Sequence, residues 1–391
     1  MNSRAFLASI LFVHLFWPLT LLADFSFKTE AFATLRKREF DKPIGAKSNF
    51  DEFFYFREEI SYLSENWRAT ASPFLLVYNS QLVDIGTDGI VTSPFQPDRQ
   101  LSLQTRLDHD RRTWTALDLQ EFFVGWSGDS LSFEFGRRIL ALGNFKLLPA
   151  WNKFNPTTTS LRPTWINGVD QLNGAYRSEK AKVIAYSIFD KDRLDQAQIL
   201  EVSYFATPFQ YSLLAGQWWS ANSVGFAMTI DSWGWLIKVE TLSLNYFGSH
   251  QSLGKDFQSA LGFERAFLED WTVNLEFLNQ SSGESDRSKI ISHQVTPHQS
   301  FRGRAYGAVE VRWTPNSFYV FSLLGLISLV DQSSMQGMTV SKQWGENAEI
   351  SGGLFLPAGH GEFSKKAELD AAFGGLNGAP AQYDLAIKYF Y

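Results

Sequence analysis

Val224, Phe226, Met228 and Ile230 alternate with Ser223, Gly225, Ala227, Thr229 and Asp231. That period of two belongs to a strand with one apolar face and one small or polar face. The rhythm returns in Phe209, Tyr211, Leu213 and Ala215, in Trp271, Val273, Leu275 and Phe277, and in Leu131, Phe133 and Phe135. In Arg302 to Trp313 the second face is charged, with Arg302, Arg304, Glu310 and Arg312 set against Ala305, Val309 and Val311. Turn signals such as Ser127-Gly128-Asp129, Ser178-Glu179-Lys180, Thr207-Pro208 and Thr314-Pro315-Asn316 punctuate the strands. Longer polar stretches, Ala141 to Asn167 and Asn279 to Ser300 among them, separate the hairpins.

Short connections alternating with long ones are the pattern of a transmembrane β-barrel, whose strands turn tightly at one rim and carry long loops at the other. With both ends of the chain on the short-turn side, the strand number must be even. The segments run from 24–36 to 382–391 and include 181–190, 302–314 and 334–343. They predict an all-β, up-and-down antiparallel barrel of about eighteen strands, with about sixteen as the alternative count. Two further alternating pieces, 99–109 and 364–374, would break the order of turns and are assigned to loops. A secreted or periplasmic sandwich or propeller is the competing fold, and it would simply solvate the charged face of 302–312.

Residues 1–23 read as a secretory signal peptide: Arg4, then an apolar stretch from Ala5 to Leu22, then the small residue Ala23. An uncleaved membrane anchor is the alternative. Cleavage near Ala23 leaves 24–391 as one exported barrel domain. The longest later apolar run, 318–330, is shorter than the roughly 18 to 20 residues a spanning helix needs. In the last strand Tyr383, Leu385, Ile387, Tyr389 and Tyr391 alternate with Gln382, Asp384, Ala386 and Lys388. This terminal alternation resembles the strand by which bacterial outer-membrane proteins engage the barrel-assembly machinery. Ile387, Tyr389 and Tyr391 are the candidate assembly signal.

The stretch Asp118 to Gly143 carries a second resemblance. Glu121 precedes an aromatic pair, Ser127-Gly128-Asp129 makes a hairpin, Phe135-Gly136-Arg137-Arg138 leads to Leu142-Gly143, and Asn155-Pro156 follows. It resembles porin-like outer-membrane families, in which an acidic-aromatic strand, a hairpin and a Gly-Arg-Gln strand precede Trp-Gly and an Asn-Pro loop. Arg138 replaces the glutamine and Leu142 the tryptophan, so no subfamily is singled out. Ser64 to Trp67 and Trp344 to Glu349 also look like the periplasmic turns of such barrels.

Composition narrows the chemistry. The 391 residues include 35 Phe, 13 Trp and 13 Tyr with only 45% apolar residues, an aromatic load that calls for an interface. A net charge of −6 without a basic block excludes nucleic acid as a partner. The absence of cysteine excludes disulfides, thiolate metal sites and cysteine nucleophiles. His109, His250, His293, His298 and His360 fall in or beside connections, so a barrel lipase triad is not supported, and Asp108-His109-Asp110 reads as a solvated loop. No catalytic, metal or cofactor site is expected, and the chain is not read as an enzyme.

What remains is a lumen. With the apolar faces towards lipid, the candidate pore-lining residues are Glu134, Arg138, Glu276, Arg302, Arg304, Glu310 and Arg312, with Glu30, Glu264 and Lys388 also inward. The segment 141–167 is the candidate constriction, through Lys146, Trp151, Asn152, Lys153 and Asn155. A lining of both signs favours weak selectivity. The expected function is passive diffusion of small hydrophilic solutes through the bacterial outer membrane, in contact with its lipid and lipopolysaccharide. A conduit for a secreted polymer such as an exopolysaccharide, or a structural or adhesion barrel, are the rivals, and a homotrimer stays open.

Overall fold

The computed structural model describes residues 25–44, 46–80, 105–109, 113–151, 168–189, 196–218, 220–286, 289, 301–358 and 381–390. The signal segment, Asn152, Lys153, Asn155, Tyr391 and the piece 364–374 lie outside the described residues. The strands are β1 (Phe25–Ile44), β2 (Ala46–Leu63), β3 (Trp67–Ser80), β4 (Thr105–His109), β5 (Thr113–Ser127), β6 (Leu131–Arg138) and β7 (Val169–Arg177). They continue as β8 (Ala181–Phe189), β9 (Ala197–Ala206), β10 (Phe209–Trp218), β11 (Ala221–Ser232), β12 (Trp235–Tyr246) and β13 (Lys255–Phe267). The remainder are β14 (Trp271–Gln280), β15 (Ala305–Asn316), β16 (Tyr319–Ser328), β17 (Ser334–Trp344), β18 (Ala348–Ala358) and β19 (Ala381–Phe390).

Each strand other than β4 pairs antiparallel with two neighbours in the ring, β5 taking β4 as a third, and β1 closes on β19 from Glu30↔Phe390 to Glu39↔Ala381. Leaving β4 aside, the ring has the eighteen strands the alternation predicts. Closure matters because a backbone polar group facing hydrocarbon has no water to bond, so only a sheet without edges can cross a bilayer. No helix among the described residues is long and apolar enough to cross one. The outward face is apolar: Val224 and Phe135 are 63% and 60% exposed, while the intervening inward residues Ser223 and Glu134 are buried. Stacked pairs such as Trp271–Trp313 at 5.3 Å and Trp313–Phe321 at 5.0 Å ring the short-turn end. An apolar belt with an aromatic girdle is the exterior of an outer-membrane barrel.

Two departures from the expected strands bear on the site. Residues 99–109 were expected as loop, yet Thr105–His109 forms β4, pairing Thr105↔Leu117 and His109↔Trp114. It occupies the edge of β5 above the point where β6 stops, since β5 and β6 pair only from Ser127↔Ser132 to Phe122↔Arg137. In addition, β15 begins at Ala305 rather than at 302. Arg302 and Arg304 therefore sit in the preceding connection, where Arg304 N donates to Glu284 O and Glu284 N donates to Arg302 O. They form no row with Arg312, which lies more than about 20 Å further along the strand at roughly 3.3 Å per residue. The alternation continued past the true strand end because that connection is itself extended, with Gly303 bridged to Glu284.

Candidate functional site

The inner wall of the barrel has two sectors. On β10, β12, β14, β15 and β16 the inward residues include Leu214, Trp218, Leu242, Leu244, Leu278, Tyr306 and Leu326, all nearly inaccessible. Apolar side chains on the inside of a water-filled barrel need a cover. The cover is the segment 139–151 that follows β6: Leu140, Leu142, Phe145, Leu148, Ala150 and Trp151 pack with them in one apolar cluster. Gly225 makes room for it on β11, since a methyl group there would lie 2.8 Å from Trp151 Nε1.

A loop laid along a wall must satisfy its own backbone donors. Two wall carboxylates, Glu240 on β12 and Glu276 on β14, do this, and both are fully buried. Glu276 Oε1 accepts from Lys146 N at 3.0 Å, and its Oε2 accepts from Leu147 N at 2.8 Å and Leu148 N at 2.6 Å. Glu240 accepts from Asn144 N, from Ala150 N at 3.2 Å and from Trp151 N at 3.3 Å. The Trp151 indole N–H donates to Thr241 O at 2.8 Å, and Asn144 Nδ2 to Thr229 Oγ1 at 3.1 Å. Lys146 Nζ reaches Glu264 Oε1 at 3.1 Å, and Lys238 Nζ holds the other oxygen of that carboxylate at 2.6 Å. Gly143 has φ +82° and its Cα faces Glu240, so that a methyl group would fall 2.3 Å from Oε1; only glycine suits both conditions.

The opposite sector, on β2, β3, β5, β6 and β7, is charged. Arg68 and Arg138 share the Glu134 carboxylate, which also accepts from Asn173 Nδ2 at 3.1 Å. Their guanidinium carbons lie 5.7 and 4.9 Å from the Phe123 ring centroid. Arg57 pairs with Glu59 at 2.7 Å and with Glu121 at 3.7 Å. Near the closing seam Lys388 meets Glu30 at 2.6 Å.

Arg137 holds the wall together within the charged sector. Gly136, at φ +131°, lets β6 approach β5 so closely that a methyl group would sit 2.2 Å from Phe122 O. Beyond it Arg137 lies within the wall, fully buried, with Nε and Nη2 on the two Asp170 oxygens at 2.8 and 3.3 Å and Nη1 on Asp118 Oδ1 at 3.2 Å. The guanidinium thus clamps β5 to β7 where β6 ends. The fork geometry suits arginine, because a planar group can face two carboxylates at once.

Among the sequence-predicted residues, Glu134 and Arg138 come together, and Lys146 and Trp151 belong to the anchored segment. Glu276 faces inward but lies beneath the loop, holding it. Glu310 and Arg312 are inward on β15, opposite Asn274 and Thr272. Ile387 and Tyr389 are exposed on the outer face of β19. The residues the sequence reading missed are Glu240, Arg57, Arg68 and Arg137. Leu242 and Leu244, sharing a face with Lys238 and Glu240, were the available signal of a covered wall.

No family model matches the sequence, and a comparison with curated proteins finds no match. Solved structures do match in fold. Acinetobacter baumannii OccAB3 aligns over 95% of this chain and 100% of its own, with a TM-score of 0.59 at 9% identity. Pseudomonas aeruginosa OccK5 (OpdH) aligns over 95% and 98%, with a TM-score of 0.58 at 9% identity. The outer membrane protein OprD of the same organism aligns over 94% and 93%, with a TM-score of 0.53 at 9% identity. The chain shares the fold of these barrels, with no subfamily distinguished.

Proposed function

We propose that the barrel is a passive channel for small hydrophilic solutes, narrowed by the segment 139–151 and only weakly selective. The observation that carries this reading is the anchoring of that segment on Glu240 and Glu276 inside an eighteen-stranded wall. A barrel of this size can leave an aqueous lumen, and an inward loop reduces it without sealing it. The charged sector opposite, with Arg57, Arg68 and Arg138 paired to Glu59, Glu121 and Glu134, supports weak rather than strong selectivity. Solute moves down its gradient, and no cofactor takes part.

The test is single-channel recording in a planar bilayer, comparing the parent with a variant in which the chain between Phe145 and Thr164 is replaced by a Gly-Ser bridge. Higher conductance and poorer solute discrimination in the variant are expected. A parent that never conducts, or equal conductance in two correctly folded barrels, overturns the reading.

A further inference from the structure

The short-turn rim is chemically lopsided. Three turns carry polar tips: Ser64-Glu65-Asn66, Ser127-Gly128-Asp129 and Ser178-Glu179-Lys180. Three consecutive hairpins on the other side carry Trp233, Leu268 and Phe318 at their tips, exposed by 93%, 87% and 54%. Trp233 and Leu268 also adopt φ values of +53° and +49°. That left-handed conformation suits Gly, Asn and Asp, and is strained for a bulky side chain. A turn built only to reverse the chain in water would carry Asn-Gly there. Here backbone strain is accepted at two neighbouring turns, and in both an apolar side chain stands almost free.

This apolar rim is continuous with the lipid-facing belt. Directly above it the outward rings of Trp271, Trp313 and Phe321 stack on one another. Two outward cations stand over other rings of the same rim. The Arg265 guanidinium lies 4.9 Å from the Phe267 centroid, and Lys342 Nζ lies 5.4 Å from that of Tyr319. Aromatic rings beside cations at the edge of an apolar band fit the headgroup layer, where rings sit at the boundary and cations reach phosphate.

We infer that the β11–β16 side of the short-turn rim is a membrane-docking surface, with Trp233, Leu268 and Phe318 inserted among the phospholipid headgroups of the facing leaflet. The polar side of the rim stays in water, so the barrel sits deeper on one side. The inference rests on the barrel and its lipid belt and is independent of what the lumen conducts.

The chain has no cysteine, so a single label can be introduced without background. Asp270→Cys, in the Leu268 turn, and Asp129→Cys, in a polar turn, are each spin-labelled. The purified full-length barrel is then placed in phosphatidylethanolamine–phosphatidylglycerol bilayers, and power saturation is read with oxygen and with a water-soluble nickel chelate. The oxygen-to-nickel accessibility ratio should be several-fold higher at 270 than at 129. Adding Trp233→Asn, Leu268→Asn and Phe318→Asn should bring the ratio at 270 down to that at 129. Asn relieves the left-handed strain at 233 and 268 and replaces an exposed turn side chain at 318, so the hairpins keep their fold, and heat-dependent gel mobility verifies the barrel. Equal aqueous ratios at both positions in the parent, or a ratio at 270 that the Asn substitutions leave unchanged, would overturn the inference.

Discussion

Replacing Glu276 with Ala removes three acceptor contacts to the loop, together with the one to Asn274 Nδ2, and leaves the Lys146, Leu147 and Leu148 amides facing a dry wall. A hydrogen bond to a charged group contributes about 1.5–3 kcal/mol. Three that share one carboxylate are coupled, so the loss of loop anchoring is about 3–5 kcal/mol rather than their full sum. At about 1.4 kcal/mol per tenfold, the population with the loop displaced rises by at least about 100-fold. The sheet ladder does not pass through the segment, so the barrel should keep its heat-dependent gel mobility while single-channel records show excursions to higher conductance. Glu276→Gln keeps one acceptor oxygen and should fall between parent and Ala. The double variant Glu240→Ala/Glu276→Ala releases both ends of the anchored stretch and should show the larger conductance as its main state. Parental conductance and noise in a folded double variant would refute the anchoring argument.

Arg137→Ala strands Asp118 and Asp170 in the wall and should lower barrel stability by about 3–5 kcal/mol, the usual effect of breaking a buried pair; a urea midpoint equal to the parent's would count against the clamp. Arg68→Glu/Arg138→Glu should move the reversal potential in a salt gradient towards cation preference, and no movement would place the solute path elsewhere. Deleting Tyr391 should reduce the amount of protein in the outer membrane, because β19 must seal against β1; normal levels in a membrane fraction would show that the terminal aromatic is dispensable.

The wall was legible because its physics is local. A strand between lipid and water writes its two faces into alternate residues, so the segments expected at 181–190 and 334–343 match β8 and β17 to within a residue. The strand number followed from turn spacing and parity. The loop anchors were not legible in the same way. Their donors are main-chain N–H groups, which every residue except proline carries, and their acceptors are two glutamates that resemble any other lumen acid. On β12 the signal was blurred further, because Leu242 and Leu244 point inward while Ile237 and Val239 point outward, and a strand apolar on both faces shows no alternation. Arg137 was hidden for a related reason: Gly136 breaks the phase of β6, and parity alone would have sent the guanidinium towards lipid.

The position of the loop also decides which charges a solute meets. With 139–151 lying against β10 to β16, the inner wall that this segment leaves uncovered is that of β2 to β7, where formal charges come close to cancelling. Formal charge is not accessible charge. In the cluster around Glu134 the carboxylate side chain is 6% exposed, whereas those of Arg68 and Arg138 are 42% and 34% exposed. In the proposed channel a solute would therefore pass two guanidinium edges with the neutralising carboxylate hidden behind them, on the side away from Lys146 and Glu264. The resulting field should favour anions modestly at low ionic strength. It should fade as salt rises and the screening length falls to about 3 Å at 1 M, because exposed guanidinium groups are screened in a way that the buried Arg137 is not.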